Sequence, residues 1–491
     1  DFKIFYPENN GREGFFINLQ AISVGIFGNQ PWSLRVVSAL FGTLTILGLY
    51  LATKELFKNK GVALLSSFFL AVSFWHINFS RIGFRAIMVP FFSVFAIYFL
   101  LKGIRREKIW DFAWAGIFTG LGLQTYIAFR FLPFVMLIPL IWYLIQKSKN
   151  SIKLIFVFLA VAFLVFLPLG LYFFQNPQDF FGRGGQVSIF SAESPVKEFL
   201  KSSLLTAQMF FFKGDCNWRH NLACQPQLNP IVAIFFLIGL VLSLKSAKSV
   251  LIIKRPTTHI ASGRLLCVPL IYWILLGWSL FLSLPATLTR EGLPHALRTI
   301  GMIPPVMILA GWGTWWVLEK IDLWLENQKN KWPAYKHQLE RLNKEIVLLV
   351  LVVFLAITYT TYRDYFIRWA NNPNTYSAFS TDLWNLGKYL DGLPEDVQKY
   401  IVVNSSGTEV RGIPMPAQTV MFATNTFVTT RQERNFAYLR HDQIDRISFA
   451  ENKKLVIAFL DGTDLKLIKK VQENFPALKT RCREEREMLW H

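Results

Sequence analysis

The chain has 491 residues, of which 53% are hydrophobic, 16% aromatic and only 17% charged, a composition that agrees with a membrane protein. The net charge of +20 does not require a nucleic acid, because much of it lies in connections between apolar segments, where anionic lipid headgroups attract it. The sequence shows no zinc-finger, RNP or basic-zipper pattern, and no repeat with a period of about 20–50 residues. Nucleic-acid binding and a solenoid fold are therefore excluded.

Apolar segments along the chain predict ten membrane-spanning helices, most of them near the ~20 residues that cross a bilayer. They lie at about 33–53, 61–79, 86–103, 110–128, 131–146, 152–174, 230–244, 265–286, 299–318 and 346–362. We expect a polytopic α-helical membrane protein. Residues 1–32 would form a first outer loop with interfacial helices, and 33–363 a transmembrane bundle that includes an outer loop at 175–229.

Lys and Arg residues concentrate in every second connection, after spans one, three, five, seven and nine. The positive-inside rule places these connections in the cytoplasm. The loops near 80–85, 126–130, 175–229 and 287–298, together with both chain ends, are therefore expected to face outward. Because these loops also carry most of the unusual polar residues, the chemistry is predicted on the outer side of the membrane.

The two ends of the chain differ in character. Asp1 opens an outward polar stretch that no signal peptide precedes, so at least one further span is expected upstream. Residues 364–491 alternate strand-like runs with helix-like runs, which predicts a small extracytoplasmic α/β domain. The strand-like runs are 400–404, 419–424 and 455–460. This domain is expected either to cap the outer cavity or to bind an acceptor.

The first outer segment reads FYPENNGREGFFINLQ and contains Glu13. A carboxylate at a membrane surface can act as a general base or bind a divalent cation, whereas a solvated loop is the simpler interpretation. The next outer turns bring Arg81 and Arg85, spaced i, i+4 so that both could share a helix face, and then Tyr126 with Arg130.

Arginines at the outer rim are costly unless they are paired, and an anionic lipid headgroup would pair them. The guanidinium fork fits phosphate oxygens bidentately, although simple snorkelling from the span ends is the alternative. His295 and Arg298 stand at the start of the ninth span, where a helix amino end adds N–H donors for an anion.

The long outer loop ends in KGDCNWRHNLACQPQLNP, which packs acid, amide, guanidinium and imidazole groups closely together. Such a set could bind sugar hydroxyls, a phosphate or a metal, and an ordered loop held by Asx turns is the alternative. Cys216 and Cys224 flank the motif, as a disulfide in an oxidising compartment or as two free thiols.

Five segments together resemble the bacterial polytopic glycosyltransferases of the C-type superfamily that are related to protein O-mannosyltransferases and aminoarabinose transferases (family 39-like). The segments run from PENNGREGFFINLQ through SFWHINFSRIGFRA, TYIAFRFLP and GDCNWRHN to PHALRTIGMIPP. The resemblance implies inverting transfer of a sugar from a polyprenyl-phosphate donor to a protein, lipid or cell-envelope glycan acceptor on the outer face. It also implies a catalytic Asp-Glu pair, which is expected upstream of Asp1.

The resemblance and the residue chemistry together give the expected roles. Glu13 matches the second acidic position of the family's first loop and would support catalysis by orienting the donor phosphate, directly or through a cation. The expected phosphate-binding residues are Arg81, Arg85, Arg130, Arg298 and Tyr126. The expected sugar- or acceptor-binding residues are Asp215, Asn217, Arg219, His220 and His295. A divalent metal, with Glu13 and His220 as candidate ligands, is the one cofactor considered.

Two other functions share much of this chemistry. A transporter or flippase could bind an anionic lipid-linked or glycan substrate through the same arginines, and a polysaccharide ligase would differ in donor size. A transporter is expected to carry ionisable residues at mid-membrane and broken helices in paired halves. The spans here carry few charges in their middles, which favours surface chemistry.

Overall fold

The computed structural model describes residues 2–8, 11–180, 188–248, 268–410, 412–427, 435–448, 454–476, 478–483 and 486–490. The chain divides into two compact units. The first, called the membrane unit, comprises Asp1–Tyr6, Gly11–Ser23 and Leu34–Ala370. The second, called the carboxy-terminal unit, comprises Pro7–Asn10, Val24–Ser33 and Asn371–His491.

The chain up to residue 362 is mainly helical. Its α-helices are α1 Gly14–Phe27, α2 Pro31–Phe57, α3 Lys60–Ala71, α4 Phe74–Arg81, α5 Met88–Arg106, α6 Ile109–Gly122, α7 Leu132–Ile145, α8 Ser151–Gln175, α9 Pro195–Gln208, α10 Pro230–Lys248, α11 Val268–Phe281, α12 Leu284–Thr287, α13 Ile303–Lys331 and α14 Lys336–Tyr362. Short 3₁₀ segments at Arg85–Ile87, Ile127–Phe131 and Ile300–Met302 precede α5, α7 and α13, and a π-helix at Arg363–Trp369 follows α14.

Within the described ranges, eight helical stretches are long and apolar enough to cross a membrane. They are Pro31–Phe57, Arg85–Arg106, Ile127–Ile145, Ser151–Gln175, Pro230–Lys248, Pro269–Thr287, Ile300–Lys331 and Pro333–Trp369. The pair α3 and α4 makes a ninth if its bend of 58° belongs to one broken span. The prediction of a polytopic helical membrane protein with a small carboxy-terminal α/β domain is confirmed.

Two of the predicted membrane-spanning segments do not form one long continuous helix. The segment at 61–79 breaks because the Ser73 side chain accepts a hydrogen bond from the His76 backbone and caps a new helix, α4. The segment at 110–128 forms the 14-residue helix α6, which ends at Gly122 before an irregular turn. The predicted segment at 265–286 begins outside the described residues.

The connections between helices separate into two groups, as the alternation of charge predicts. Arg105 in the last turn of α5 places its Nε 2.6 Å from Oε1 of Glu55 at the end of α2. Tyr143 near the end of α7 donates a hydrogen bond of 3.0 Å to Glu107, which follows α5. The lysine- and arginine-rich connections near the ends of α2, α5 and α7 thus contact one another, and the site residues described below lie on the other group.

Helices α10 and α13 approach closely through two glycines. A Cβ atom added to Gly239 would lie 2.0 Å from the backbone oxygen of Leu309, and one added to Gly313 would lie 2.1 Å from that of Phe235. Small residues at helix contacts allow such backbone approach, which supplies packing energy where lipid gives no hydrophobic driving force.

A small antiparallel hairpin of β1 Phe5–Tyr6 and β2 Arg12–Glu13 precedes α1, with Phe5 opposite Glu13. The Phe5 ring packs against the end of α8, at 5.3 Å from the ring of Phe173, and Leu169 completes this small core. The Gly14 backbone donates a 2.7 Å hydrogen bond to Ile4, which fixes the start of α1. The hairpin therefore holds Glu13 against the membrane unit.

The carboxy-terminal unit is built around a five-stranded mixed sheet with the strand order β6-β3-β7-β9-β8. Its strands are β3 Gln398–Val403, β6 Phe436–Arg440, β7 Leu455–Phe459, β8 Lys479–Arg483 and β9 Arg486–Trp490, and a separate ribbon pairs β4 Glu409–Val410 with β5 Ile413–Pro414. Strand β3 pairs in parallel with β6 and β7, whereas β9 pairs antiparallel with β7 and β8.

Helices cover this sheet on both faces, as the fully buried β7 requires. The covering helices are α16 Thr381–Asp391 and α17 Pro416–Thr424 on one face and α18 Leu465–Asn474 on the other, and the short helix α15 Pro373–Ala378 precedes α16. Leu386 and Val420 join one core, and Ile468 joins the other. The run at 419–424, predicted as a strand, is helical because Pro416 opens a helix whose Ala417 and Val420 face the core.

We predict that Gly313→Ala destabilises the membrane unit, because the new methyl group would overlap the α10 backbone. Overpacking of this kind costs about 1–3 kcal/mol. The matched control is Gly25→Ala in α1, where nothing lies within 4 Å of the added Cβ. Melting temperatures in detergent should fall for Gly313→Ala and stay level or rise for Gly25→Ala. Equal melting temperatures for both variants would contradict the close approach.

Candidate functional site

A buried carboxylate between two guanidinium groups forms the centre of the first cluster. Glu13 is only 4% exposed, and its Oε2 lies 3.3 Å from Nη2 of Arg85. Its Oε1 lies 3.8 Å from Nη2 of Arg130. Two positive charges therefore surround one negative charge, and this group, called the Glu13 cluster, carries a net charge of +1.

The Arg85 side chain has unused hydrogen-bonding capacity. Its Nε and Nη1 are buried and have no hydrogen-bond partner among the described residues. The ring of Tyr126 lies 5.5 Å from the guanidinium carbon, in cation–π range. Buried donors are normally satisfied, so unpaired guanidinium nitrogens beside a net positive charge are suited to an anionic ligand.

Arg130 is held by the chain that follows α8. Its Nη1 donates a hydrogen bond of 3.1 Å to the backbone oxygen of Phe180, and its guanidinium carbon lies 4.2 Å from the centre of the Phe180 ring. The Phe173 ring lies 5.3 Å away. With these contacts, the Arg130 side chain remains 23% exposed, so a ligand can still reach it.

The other two predicted phosphate-binding arginines lie elsewhere. Arg81 is the last residue of α4 and its guanidinium carbon lies 5.2 Å from the ring of Phe366. Gly83 follows with φ +75°, a conformation that favours glycine, so Arg85 begins a new segment rather than sharing a helix face with Arg81. Arg298 donates to Thr289 Oγ1 at 2.7 Å and to the Glu291 backbone oxygen at 2.6 Å.

The second cluster is organised by the Cys216–Cys224 disulfide, which resolves the alternative of free thiols. The bridge closes a compact loop in which the Cys224 backbone donates a 2.9 Å hydrogen bond to the Asp215 backbone oxygen. Asn221 adds a 3.1 Å hydrogen bond from its side chain to the same oxygen. These bonds hold the Asp215 carboxylate in place.

The Asp215 carboxylate accepts hydrogen bonds from three donors. His220 Nδ1 donates at 2.8 Å and the Ala296 backbone at 2.9 Å, both to Oδ2, and the Asn217 backbone donates at 2.8 Å to Oδ1. Burial alone would raise the pKa of Asp215, but these hydrogen bonds and the charges of His220 and His295 outweigh it and lower the pKa below 3.8. Asp215 is therefore an anion at neutral pH.

His295 completes this group, which we call the Asp215 cluster. Its Nδ1 lies 3.8 Å from Asp215 Oδ2, and its ring centre lies 5.0 Å from that of His220. Ligand-type atoms of the three residues lie within 4.8 Å of one another, an arrangement that could hold a metal ion. A cavity of about 310 Å³ adjoins them and is also lined by Lys213 and Gln208.

The two clusters are neighbours. Phe84 precedes Arg85 in the chain, and its ring centre lies 6.1 Å from that of His220. The remaining predicted residues of the disulfide loop, Asn217 and Arg219, are exposed. The Arg219 backbone oxygen accepts a 2.9 Å hydrogen bond from Asn78 of α4, which anchors the loop to the broken span.

Several groups that contact the candidate site residues could not be predicted from the sequence. The backbone N–H of Ala296, the ring of Phe84 and the backbone oxygen of Phe180 carry no sequence signal, because any residue type offers the same backbone groups and the chain is rich in Phe. Asn78 lies within the quoted SFWHINFSR segment, where a polar residue in an apolar context was the available hint.

We predict that Asp215→Ala strongly destabilises the disulfide loop and the segment that contains Ala296. It would leave His220 Nδ1 and the Ala296 N–H buried without their acceptor, and each unsatisfied buried donor costs about 1–3 kcal/mol. The control is Asn217→Ala, an exposed neighbour that loses only its 2.9 Å bond to the Arg219 backbone. Thermal unfolding should show a large loss for the first variant and a small one for the second. Similar losses for both would contradict the central role of Asp215.

Comparisons with known proteins find similarity to mannosyltransferases over part of the chain. Residues 15–172 match the family model described as dolichyl-phosphate-mannose-protein mannosyltransferase. YkcB of Bacillus subtilis (strain 168), named as a mannosyltransferase, is 33% identical over 138 residues, or 28% of this chain. That alignment spans only 18% of YkcB.

Solved structures resemble the chain over nearly its whole length. ArnT from Cupriavidus metallidurans in the apo state has a TM-score of 0.54 at 12% identity, covering 97% of this chain and 87% of ArnT. The oligosaccharyltransferase AglB from Archaeoglobus fulgidus has a TM-score of 0.45 at 14% identity, covering 93% of this chain and 63% of AglB. Residues 15–172 thus match the mannosyltransferase family model, and the fold of the chain is similar to that of ArnT.

Proposed function

We propose that this protein transfers a sugar from a polyprenyl-phosphate donor to an acceptor hydroxyl at the outer face of the membrane, with inversion at the anomeric carbon. The observation that carries the proposal is the Glu13 cluster, in which two guanidinium groups meet one carboxylate and Arg85 keeps unpaired donors. The mannosyltransferase family match over residues 15–172 supports the reaction class.

The chemistry of the donor explains why such a cluster would be useful. When the bond between sugar and lipid phosphate breaks, negative charge develops on the departing phosphate. Guanidinium groups already in position stabilise this charge without rearranging, and they act more strongly at a partly dry site than in water. Arg85 and Arg130 would bind the phosphate oxygens, and the Tyr126 ring would keep Arg85 oriented.

Glu13 would act as a positioning residue in this scheme. Two arginines that contact the same carboxylate repel each other, and the carboxylate between them holds both in one place. Its single charge leaves the group positive, so the cluster can still attract a phosphate. The hairpin that carries Glu13 would thereby couple the first outer loop to donor binding.

The sidedness of the reaction rests on two observations. The lysine- and arginine-rich connections contact one another and are assigned to the cytoplasm by the positive-inside rule. The disulfide Cys216–Cys224 lies on the opposite group of loops, and disulfides persist in oxidising compartments outside the cytoplasm. Both observations support a position of the Glu13 and Asp215 clusters on the outer side.

The Asp215 cluster would serve the sugar or the acceptor. Asp215 fixes the His220 ring through Nδ1, so Nε2 is available to a ligand in the adjoining cavity of about 310 Å³. The Phe84 ring beside His220 connects this cavity to Arg85. A sugar held by His220 and His295 could therefore be attached to a phosphate held by Arg85.

We also propose that Asp215, His220 and His295 hold a divalent cation. Two imidazoles and one carboxylate are the ligand types that zinc uses in sites with an open position. The ligand atoms are grouped within 4.8 Å. A cation there would polarise oxygen atoms of a bound sugar or acceptor.

The first test compares Arg85→Ala with Arg341→Ala, a control whose side chain is 80% exposed in α14. We expect Arg85→Ala to lower sugar transfer by about 100-fold or more, the usual cost of removing one charge-stabilising donor. Arg85→Lys should recover only part of the loss, because lysine lacks the bidentate fork. Binding of a polyprenyl monophosphate to purified protein in nanodiscs should weaken in the same order. Unchanged binding for Arg85→Ala would remove the donor-site assignment.

The second test concerns the cation. Protein stripped with EDTA and incubated with Zn²⁺ should retain a stoichiometric amount after dialysis, measured by elemental analysis. His295→Ala should lose most of it because one of three ligands is gone. His337→Ala in the exposed part of α14 is the control and should bind zinc as the wild type does. Equal zinc content in all three proteins would contradict a site at Asp215.

A further inference from the structure

An unpaired amide lies buried in the segment that leads from the disulfide loop to α10. Gln227 is only 4% exposed, yet neither its side-chain nitrogen nor its side-chain oxygen has a hydrogen-bond partner among the described residues. A buried polar group without a partner costs free energy, so the arrangement calls for a partner.

Gln227 lines a cavity of about 190 Å³ within the membrane unit. The walls come from the break between α3 and α4, the return segment 221–230, α13 and the junction of α14 with the π-helix. Ser73, Asn229, Thr361 and Asp364 supply further polar atoms, and the ring of Phe74 supplies an apolar wall. None of the residues of the Glu13 or Asp215 clusters lines it, so it is a separate site.

The backbone around Gln227 is fixed. Its N–H donates a 2.8 Å hydrogen bond to the backbone oxygen of Met209, which is itself fully buried. The next residue, Leu228, is 3% exposed and anchors the segment on the other side. The amide is therefore preorganised at the cavity wall, which lowers the entropic cost of binding a ligand there.

The neighbouring amides already have partners. Asn229 donates to Thr360 Oγ1 at 3.0 Å and accepts from the Ile231 backbone at 3.0 Å. Asn221 donates to the backbone oxygens of Asp215 and Gln225. Because these groups are used, the partner of Gln227 has to come from a molecule that enters the cavity.

The residues that line the cavity determine which kind of molecule can bind there. Lys, Arg and His are absent from the described lining residues, so an anion finds no counter-charge. Asp364 is held by ion pairs with Arg363 and Arg368, so it does not call for a cation. A primary amide offers a donor and an acceptor side by side, which matches two adjacent hydroxyl groups.

We propose that the Gln227 cavity binds a neutral sugar residue through adjacent hydroxyls, with the Phe74 ring against the apolar face of the sugar. Water molecules would fill the cavity when no sugar is present, and sugar hydroxyls reproduce the hydrogen bonds of such waters. The inference does not depend on the Glu13 cluster. Its failure would leave the donor-phosphate site untouched, because the two sites share no residue.

The test uses Gln227→Leu, which keeps the size of the side chain and removes both polar atoms. A structural role for the amide predicts a lower melting temperature for this variant. A binding role predicts the reverse, because the unpaired buried amide is gone: the ligand-free variant should melt at the same temperature or higher. Gln146→Leu, at an exposed glutamine after α7, is the matched control.

Binding is measured on purified protein with a panel of neutral methyl hexosides and pentosides, by thermal shift and by saturation-transfer NMR. We expect at least one glycoside to stabilise the wild type and Gln146→Leu, and to bind Gln227→Leu at least about tenfold more weakly, as expected for the loss of one or two hydrogen bonds. Inorganic phosphate should give no shift that depends on Gln227. Equal glycoside binding by Gln227→Leu, or no binding by the wild type, would overturn the proposal.

Discussion

The arrangement of the loops that carry the candidate site depends on the pairing of two arginines with one buried carboxylate. A charge near the hydrocarbon region is costly unless it has a partner, and one Glu for two Arg satisfies the pairing while leaving a positive excess. Each partner comes from a different loop: Glu13 from the amino-terminal hairpin, Arg85 from the 3₁₀ turn before α5, and Arg130 from the one before α7. The pairing therefore brings three loops together at one place.

The backbone around these groups is irregular, and one physical cause explains the irregular segments. A helix that ends at the membrane rim leaves carbonyl and N–H groups unsatisfied, so side chains and loops must supply partners. Ser73 caps α4, Asn78 reaches the Arg219 backbone, and Asp215 accepts the Ala296 N–H. The Ser73 bond completes a helix end, and the other two bonds fix the loops that carry the candidate ligands.

The charged candidate sites and the neutral one lie in different parts of the membrane unit. The Glu13 and Asp215 clusters hold nearly all the charged groups of the site, with His220 joined to Arg85 through the ring of Phe84. The Gln227 cavity lies in the return segment after the disulfide and is lined by amide and hydroxyl groups. In our proposals, the Glu13 cluster binds the lipid phosphate and the Asp215 cluster serves the transferred sugar or the acceptor, whereas the Gln227 cavity binds a further neutral sugar residue.

The sequence by itself determined the class of protein, most of its spans, the alternation of its connections and the residue types of the site. These follow from local properties: apolar length, Lys and Arg content, and short motifs such as GDCNWRHN. It could not show that α3 and α4 break at Ser73, that 419–424 is a helix, or that Cys216 and Cys224 are bonded. Only the tertiary structure decided that Arg85 and Arg130 contact Glu13. The same structure shows that Arg81 lies against Phe366, and that Arg298 donates a hydrogen bond to the backbone of the turn that precedes it. The physical reason is that these contacts join residues distant in the chain, and local periodicity carries no information about which loops meet.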